Sequence, residues 1–294
     1  MQVKKIVDQI PLFQNHTVLY EPLNGGLSNQ TYKLVCGATS YVLRIYGHQT
    51  EHLHLSRSSE VDVMRAMNGA KIAPGVVYTH NPEQYVLIEY IKGRQVSGED
   101  LLLPERQQLI INQMKTIHIA DIKERSCSPY HLIRSYLRGA EHLKVKWPEG
   151  LNTFLHRMEQ IEYNRSFDKK FNYKFCHNDF YTFNLILSES GRELYVVDWE
   201  LCGTGDVFFD LASIPFTNRF SPDHEKAWLT LYFNEFEEEQ YQILQDMKFI
   251  NMLRECAWGL LHSGLIQEKV NHDFDYYKHV EYVIARLQQG HNNL

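Results

Sequence analysis

The chain has 294 residues, of which 22% are charged and 44% are hydrophobic, as in ordinary globular proteins. This length suffices for one large domain or for two lobes with separate cores. The formal net charge of −6 argues against a nucleic-acid-binding protein that acts through a broad basic face. The five cysteines are scattered without a C-x-x-C pair, which indicates neither a disulfide framework nor a zinc site.

No segment has the pattern of a membrane span or of a targeting sequence. Asp8 and Pro11 interrupt the apolar run near the N-terminus, so we expect no signal peptide. No window approaches the roughly 18 uninterrupted apolar residues that a membrane span requires. We therefore expect a reduced, cytoplasmic protein that binds neither nucleic acid nor membranes, and the sequence leaves its oligomeric state open.

Residues 1–91 show the pattern of a small sheet with one main helix. A short helix at residues 2–10 opens the chain, and Gly37 marks a hairpin between two runs rich in β-branched and aromatic residues. Ser56 is a plausible N-cap for a helix that runs to about Asn68, and Glu60 in its early turns suits the helix dipole. The predicted strands are Thr17–Leu23, Thr31–Val35, Tyr41–Tyr46, Val76–Thr79 and Gln84–Ile91.

From Lys92 onward, apolar residues at helical spacing dominate the chain. We predict an α+β protein of two lobes, with an antiparallel sheet in residues 1–91, a mostly helical lobe in residues 92–294 and a hinge near residues 89–93. The helices predicted from spacing include Leu101–Ile119, Leu132–Val145, Leu151–Ile161 and residues 274–288. Short strands are predicted at Tyr173–Cys176, Asn184–Leu187 and Leu194–Asp198.

The segment from Phe175 to Glu200 contains the residues that can do chemistry. Asp179 lies in a His-x-Asp motif, Asn184 follows five residues later, and Asp198 ends the apolar strand LYVVD. Phosphoryl transfer needs a carboxylate beside the accepting hydroxyl and oxygen ligands for magnesium. The spacing H-x-D-x-x-x-x-N is that of a kinase catalytic loop. It predicts Asp179 as the catalytic base, with Asn184 and Asp198 as catalytic metal ligands.

Longer stretches around these residues resemble one group of kinases. CHNDFYTFNLIL and YVVDWE are similar to the choline/ethanolamine kinases and to the related thiamine kinases and aminoglycoside phosphotransferases. LNGGLSNQTYKL and YVLRIYG resemble the opening of choline kinases, including bacterial ones of the lipopolysaccharide type. The similarity extends from about Leu23 to Trp258. It implies the protein-kinase-like fold and an enzyme that uses ATP and Mg²⁺ to phosphorylate the primary hydroxyl of a small cationic metabolite.

The resemblance also implies a nucleotide site in the first lobe. Arg44 stands where protein kinases have a lysine that contacts the α- and β-phosphates, and Glu60 would be its ion-pair partner. Glu89 and Ile91 fall where a kinase hinge holds adenine through backbone groups. The NGGLSN turn takes the place of a phosphate-covering loop. The residues assigned to phosphate contact in that turn are Gly26, Ser28 and Asn29.

Four further residues receive roles only from the resemblance. His177 would support the backbone of the catalytic loop, and Asp210 in GTGDVFFDLASI would brace the same loop by hydrogen bonds. Glu200, two residues after Asp198, would assist a metal or the substrate cation. Trp258 in ECAWGLLHSG matches the first tryptophan of the W-G-L-W sequence in choline kinases and would contact the substrate.

The choice of substrate remains open because the chain departs from the choline-kinase pattern. A quaternary ammonium is held against aromatic faces, but Leu261 replaces the second tryptophan and Leu201 replaces a common tyrosine. We rank choline or ethanolamine first, thiamine second and an aminoglycoside third. Two other classes are a non-catalytic nucleotide-binding pseudokinase and a protein kinase. The intact catalytic motif argues against the former, and the absence of Asp-Phe-Gly and Ala-Pro-Glu motifs argues against the latter.

Overall fold

The computed structural model shows an α+β protein whose chain divides into two compact units. The first unit comprises Met1–Val96 and Phe183–Glu200, and the second comprises Ser97–Thr182 and Leu201–Leu294. Sequence order alone assigned all of residues 92–294 to one lobe, whereas Phe183–Glu200 packs within the first unit. The structure describes residues 2–23, 29–47, 57–80, 84–123, 125–167, 173–265 and 274–291.

A five-stranded antiparallel sheet forms most of the first unit, in the order β1-β2-β3-β5-β4. Gly37 makes the turn between β2 and β3 with a φ of 61°, which a glycine adopts without strain. The apolar side of helix α1 (Gln2–Gln9) packs on this sheet through Val3 and Val7, beside Leu34 and Leu43 of the strands. The strands are β1 (Val18–Pro22), β2 (Asn29–Cys36), β3 (Thr39–Tyr46), β4 (Val76–Tyr78) and β5 (Tyr85–Glu89).

Helix α2 (Arg57–Gly69) lies between β3 and β4 in the chain and has Glu60 in its first turn. Its predicted N-cap, Ser56, is outside the described residues. The buried side chains Val61, Val63 and Met64 give the helix its apolar side, which belongs to the core of the first unit. The observed bounds agree with the helix predicted from residue 56 to residue 68.

A second, three-stranded sheet also belongs to the first unit and has the order β6-β8-β9. At Gly93 the backbones approach so closely that a Cβ would lie 2.2 Å from the carbonyl oxygen of Leu187. The backbone N–H of Val196 donates to the carbonyl of Ile72 at 2.7 Å, which ties the β8–β9 hairpin to the segment after α2. The strands are β6 (Gly93–Gln95), β8 (Leu185–Ser188) and β9 (Leu194–Val196).

The second unit is mostly helical, as the spacing of apolar residues predicts. The long helix α8, at about 1.5 Å per residue, spans roughly 40 Å and packs against α4, α6 and α9. A two-stranded sheet of β7 (Lys174–Cys176) and β10 (Gly203–Gly205) lies in the same unit. The helices are α3 (Pro104–His118), α4 (Pro129–His142), α5 (Leu151–Ser166), α6 (Val207–Asn218), α7 (Pro222–Phe233), α8 (Glu238–Leu265) and α9 (Tyr276–His291).

Short 3₁₀ turns lie at Pro11–Phe13, Asp100–Leu102 and Thr182–Asn184. Asp206 caps the N-terminus of α6, where its carboxylate accepts the backbone N–H of Phe208 at 3.0 Å. Among the helices in the described part of the chain, none is both long and apolar enough to cross a membrane.

Candidate active site

Arg44 and Glu60 form a buried ion pair in the first unit. Arg44 lies in β3 and Glu60 in the first turn of α2, and the guanidinium Nη1 is 2.9 Å from the carboxylate Oε1. The side chains are 11% and 1% exposed, respectively. The Nη2 of Arg44 also lies 2.5 Å from Asp198 and 3.0 Å from Glu200. Arg44 therefore contacts three of the residues that the sequence assigned to the nucleotide, the metal and the substrate.

The β8–β9 hairpin brings Asn184 and Asp198 to neighbouring positions in the first unit. Leu185 pairs with Val196, and the backbone N–H of Val197 donates to the carbonyl of Asn184 at 3.0 Å. Asn184 and Asp198 therefore flank the paired ends of the two strands. Asp198 adopts a left-handed φ of 68°, a conformation that costs a non-glycine residue about 1–3 kcal/mol and is concentrated at functional sites.

Arg57 belongs to the same network, although the sequence reasoning did not identify it. Its Nη1 lies 2.6 Å from Glu200 and 3.2 Å from Glu60, and its guanidinium lies over the ring of Tyr46 at 4.3 Å. Asn29, the first residue of β2, donates from its amide to Glu200 at 3.2 Å. The one signal in the sequence is that Arg57 precedes Glu60 by three residues, a spacing at which helical side chains meet.

Two arginines and three carboxylates thus share one site, in which Asp198 is the most exposed side chain at 33%. Burial by itself lowers the pKa of Arg44, but the surrounding carboxylates outweigh it and raise that pKa well above its usual value. Burial raises the pKa of Glu200, yet Arg44 and Arg57 outweigh it and keep the pKa below the ordinary range. For Glu60, burial prevails over the two arginines and raises the pKa. The network has one more acidic group than basic groups, which favours binding of a further cation.

The remaining residues assigned to the nucleotide are only partly described. Gly26 and Ser28 lie outside the described residues. Glu89, at the end of β5, accepts the backbone N–H of Gly75 through its carboxylate at 3.0 Å, and donates its own N–H to the carbonyl of Gly75 at 2.9 Å. Ile91 lies between β5 and β6 and is half-buried. The hinge role of both residues stays a prediction.

The oxygen donors of the hairpin fit magnesium. An amide oxygen from Asn184 and a carboxylate from Asp198 are the ligand types that Mg²⁺ prefers, and Mg²⁺ is commonly held by one or two carboxylates together with substrate phosphates. The excess acidic charge of the network agrees with this fit. Arg44, in contact with Asp198, is the cation that would meet phosphate oxygens beside the metal.

Asp179 lies in the second unit, on the loop after β7. Its carboxylate Oδ1 is 3.0 Å from Nη1 of Arg254, a buried residue of α8. The Nη2 of Arg254 donates to the hydroxyl of Tyr181 at 2.8 Å, and that hydroxyl donates to Asn251 at 2.9 Å. Burial by itself lowers the pKa of Arg254, but Tyr181 and Asp179 raise it, so the guanidinium stays charged. Arg254 therefore fixes the position of the Asp179 carboxylate.

Asp210 of α6 is fully buried and contacts the backbone of the loop that bears Asp179. Its two carboxylate oxygens accept the backbone N–H groups of His177 and Asn178 at 2.8 Å and 2.7 Å. His118 of α3 contacts Asp210 through Nε2 at 3.0 Å and the hydroxyl of Tyr232 through Nδ1 at 2.7 Å. This is the geometry that the bracing role of Asp210 requires. The fully buried ring of His177 packs edge-on against Phe180 at 5.9 Å.

Trp258 belongs to an aromatic group in the second unit. Its ring lies 4.4 Å from that of His262 and 5.4 Å from that of Tyr276 in α9. Trp258 is half-buried. Leu261 is fully buried, as is nearly all of Leu201, whose carbonyl accepts the amide of Asn178 at 3.0 Å. The two leucines that depart from the choline-kinase pattern are therefore packing residues.

Comparison with known proteins finds choline kinases among the proteins that are similar to this chain. Probable choline kinase 2 of Arabidopsis thaliana is 24% identical over 301 residues, which cover 91% of this chain and 83% of that protein. Choline kinase LicA from Streptococcus pneumoniae is similar in structure with a TM-score of 0.79 and 21% identity, covering 98% of this chain and all (100%) of that chain. A structure of LicA in complex with AMP has a TM-score of 0.76 and 21% identity, covering 97% and 96% of the two chains.

These structural similarities confirm the predicted protein-kinase-like fold. The model of the phosphotransferase enzyme family matches residues 20–246, which include Arg44, the loop with Asp179, and the hairpin with Asn184 and Asp198. The match covers most of the chain and contains every residue to which the sequence assigned chemistry except Trp258. The chain belongs to the phosphotransferase enzyme family and is an enzyme that transfers phosphoryl groups to small molecules.

Proposed function

We propose that this enzyme transfers the γ-phosphoryl group of ATP, with Mg²⁺, to the primary hydroxyl of a small cationic alcohol, with choline or ethanolamine ranked first. The observation that carries the proposal is the β8–β9 hairpin. A backbone hydrogen bond joins Asn184 to Val197, and Asp198, the next residue, contacts Arg44. An amide, a carboxylate and an arginine are the combination of groups needed for a metal-bound triphosphate. The names of the relatives, choline kinase and LicA, support the same substrate class.

On the nucleotide side, Asn184 and Asp198 would hold the metal, and Arg44 would bind the α- and β-phosphates while Glu60 orients it. Bound magnesium neutralises charge on the phosphates during transfer. The AMP complex of a structural relative agrees with an adenine nucleotide as the phosphoryl donor.

On the acceptor side, Asp179 would orient the hydroxyl of the alcohol and take its proton. Arg254, at 3.0 Å, keeps this carboxylate in place, and Asp210 holds the loop backbone. Phosphoryl transfer requires little covalent chemistry from the protein. Positioning, together with electrostatic stabilisation, therefore accounts for most of the rate enhancement. A carboxylate that is fixed by a buried guanidinium suits that task.

We predict that Asp179→Ala lowers kcat by two or more orders of magnitude, because the hydroxyl loses the group that orients and deprotonates it. The affinity for Mg·ATP should be nearly unchanged, since the residues assigned to the nucleotide belong to the other unit. A coupled assay of ADP release measures kcat, and a titration with nucleotide measures the affinity. Undiminished phosphorylation by the Asp179→Ala variant would contradict the assignment.

Thiamine is the second candidate acceptor, because it also combines a cationic ring with a primary hydroxyl. An aminoglycoside is the third, and a pseudokinase is the non-enzymatic alternative. One assay compares choline, ethanolamine, thiamine and kanamycin side by side by kcat/KM. A clear margin for thiamine or kanamycin would overturn the ranking, and nucleotide binding without product from any alcohol would favour the pseudokinase.

A further inference from the structure

A carboxylate lies one helical turn before Trp258 in α8, on the side of the helix that contacts α9. Glu255 precedes Trp258 by three residues, so both side chains are on the same face of the helix. The carboxylate is 23% exposed, and its Oε2 lies 3.7 Å from Nε2 of His279 in α9. Trp258, His262 and Tyr276 form the aromatic group next to it. No role for Glu255 follows from the sequence motifs.

Among the described residues, the Glu255 carboxylate forms an ion-pair contact only with His279, at 3.7 Å. Burial lowers the pKa of His279, so near neutral pH this imidazole is mostly uncharged and offsets little of the carboxylate charge. The neighbouring Arg254 directs its guanidinium to Asp179 and Tyr181 instead. Burial raises the pKa of Glu255, Arg254 and Arg286 lower it, and Asp179 raises it further. The Asp179 carboxylate therefore acts on the charge of Glu255.

Position 261, near Trp258, has no space for a second aromatic side chain. Leu261, three residues later in α8, packs directly on Gly139 of α4, where an added Cβ would lie only 2.7 Å from Cδ1 of Leu261. A tryptophan would not fit between these helices without moving them apart. The site therefore offers one indole face and one carboxylate, in place of a cage made of several aromatic rings.

We propose that Glu255 is the residue that determines acceptor specificity, by binding a primary ammonium group beside Trp258, and that the enzyme prefers primary amino alcohols to quaternary ones. This proposal rests on the proposed function. A primary ammonium donates three hydrogen bonds and gains a charge-assisted bond to the carboxylate. A quaternary ammonium has no N–H to donate and depends on aromatic faces, of which this site has few.

The neighbourhood of Asp179 and Glu255 suits such an acceptor. An amino alcohol carries its hydroxyl and its ammonium on neighbouring carbons, so one small molecule would place the hydroxyl at Asp179 and the cation at Glu255. The buried hydroxyl of Tyr276, in the aromatic group with Trp258, has no hydrogen-bond partner among the described residues. The Glu255 carboxylate gains hydrogen bonds from the N–H groups of a primary ammonium and gains none from a trimethylammonium.

The test is the ratio of kcat/KM for ethanolamine to that for choline, measured on one enzyme preparation so that the active fraction cancels. We expect the wild type to favour ethanolamine by about 10- to 100-fold, the range of one charge-assisted hydrogen bond. Glu255→Gln should bring the ratio close to one, and Glu255→Asp should keep most of it. Glu281→Gln, which removes an exposed carboxylate of α9, is the matched control and should leave the ratio unchanged.

A binding measurement separates this proposal from the proposed function. Ethylammonium and tetramethylammonium carry no hydroxyl, so an NMR titration with each, in the presence of Mg·ADP, measures cation binding without catalysis. We expect ethylammonium to bind more tightly, and Glu255→Gln to remove the difference. A wild type that uses choline as well as ethanolamine, or a Glu255→Gln ratio equal to that of the wild type, would overturn the role of Glu255. Absence of any phosphorylated product would instead contradict the proposed function.

Discussion

At the scale of single residues, Arg57 is the main addition of the structure to the predicted site. Glu200 is contacted by Arg57, Arg44 and Asn29, and its carboxylate is only 14% exposed. Without Arg57, Arg44 would be the only cation among three acidic groups. Arg57 therefore helps to hold the Glu200 carboxylate in place. It also shares with Arg44 the neutralisation of the acidic side chains, so that Arg44 stays available for its proposed contact with phosphates.

We predict that Arg57→Met lowers the free energy of unfolding by about 3–5 kcal/mol, because removing one partner leaves buried carboxylates uncompensated. Methionine keeps much of the apolar stem, so the loss reports mainly on the charge. The decrease in the free energy of unfolding should be largest near neutral pH. The pKa of Glu200 is lowered in the folded state, so its stabilising contribution is present above the ordinary glutamate pKa and disappears as the pH falls through the lowered value. Urea unfolding at several pH values measures both effects.

Arg65→Met on the same helix is the control for this substitution. Arg65 pairs with Asp62 at 3.1 Å, but the side chains are 55% and 72% exposed. An exposed pair contributes at most about 1 kcal/mol. Equal losses for the two variants would show that the Arg57 contacts stabilise no more than a surface pair.

At the scale of elements, a chain of buried hydrogen bonds connects three helices to the catalytic loop. Tyr232 of α7 contacts His118 of α3, which contacts Asp210 of α6, and Asp210 accepts backbone N–H groups at His177 and Asn178. The cluster of His118, Cys176 and Asp210 has ligand atoms close enough for a metal. Because Asp210 already accepts three donors, we interpret it as a structural support.

We predict that Asp210→Asn lowers kcat more than it changes the affinity for nucleotide. The amide would point an N–H group at a backbone N–H that needs an acceptor, and an unsatisfied buried group costs about 1–3 kcal/mol. The loop bearing Asp179 would lose its fixed position, whereas Arg44 and Asp198 belong to the other unit. Steady-state kinetics and nucleotide titration separate the two quantities.

Tyr232→Phe is a milder control, because it removes only the hydrogen bond between Tyr232 and His118. Its expected cost is about 1 kcal/mol in stability, with a small change in kcat. If Asp210→Asn altered nucleotide affinity and kcat by the same factor, the bracing role would be wrong.

At the scale of the whole molecule, the predicted machinery is divided between the two units. Arg44, Asn184 and Asp198 belong to the first unit, and Asp179 and Trp258 belong to the second. A nucleotide would therefore stabilise chiefly the first unit, and an acceptor alcohol chiefly the second. Ligands that bind only the folded state stabilise it according to their concentration and affinity.

We predict that Mg·ADP at about one hundred times its dissociation constant stabilises the protein by roughly 2.7 kcal/mol, seen as a rise in Tm. Removal of magnesium with EDTA should abolish most of this rise, because the hairpin ligands act on the nucleotide through the metal. Asp198→Asn should show the same deficit without EDTA. A rise in Tm that is unaffected by both changes would contradict the assignment of the hairpin to magnesium.

The sequence alone determined the reaction class and the kind of most elements, although not the short strands β6 and β10. Apolar periodicity and turn residues are local properties, so helices such as α2 and strands such as β3 were predicted close to their observed bounds. The spacing of Asp179, Asn184 and Asp198 is also local, which is why the kinase motif was visible without a structure. Arg44 and Glu60 followed from the resemblance, and the structure places them 2.9 Å apart.

Only the tertiary structure decided which distant residues meet. Arg57 and Glu200 are 143 positions apart and lie 2.6 Å from each other, a contact that no periodicity indicates. The same holds for Leu261 on Gly139 and for Phe183–Glu200 within the first unit. Such contacts depend on how packed elements cross, and packing is a property of the folded chain as a whole. The reaction class could therefore be inferred from local spacing, whereas the proposed preference for one acceptor rests on contacts that only the fold shows.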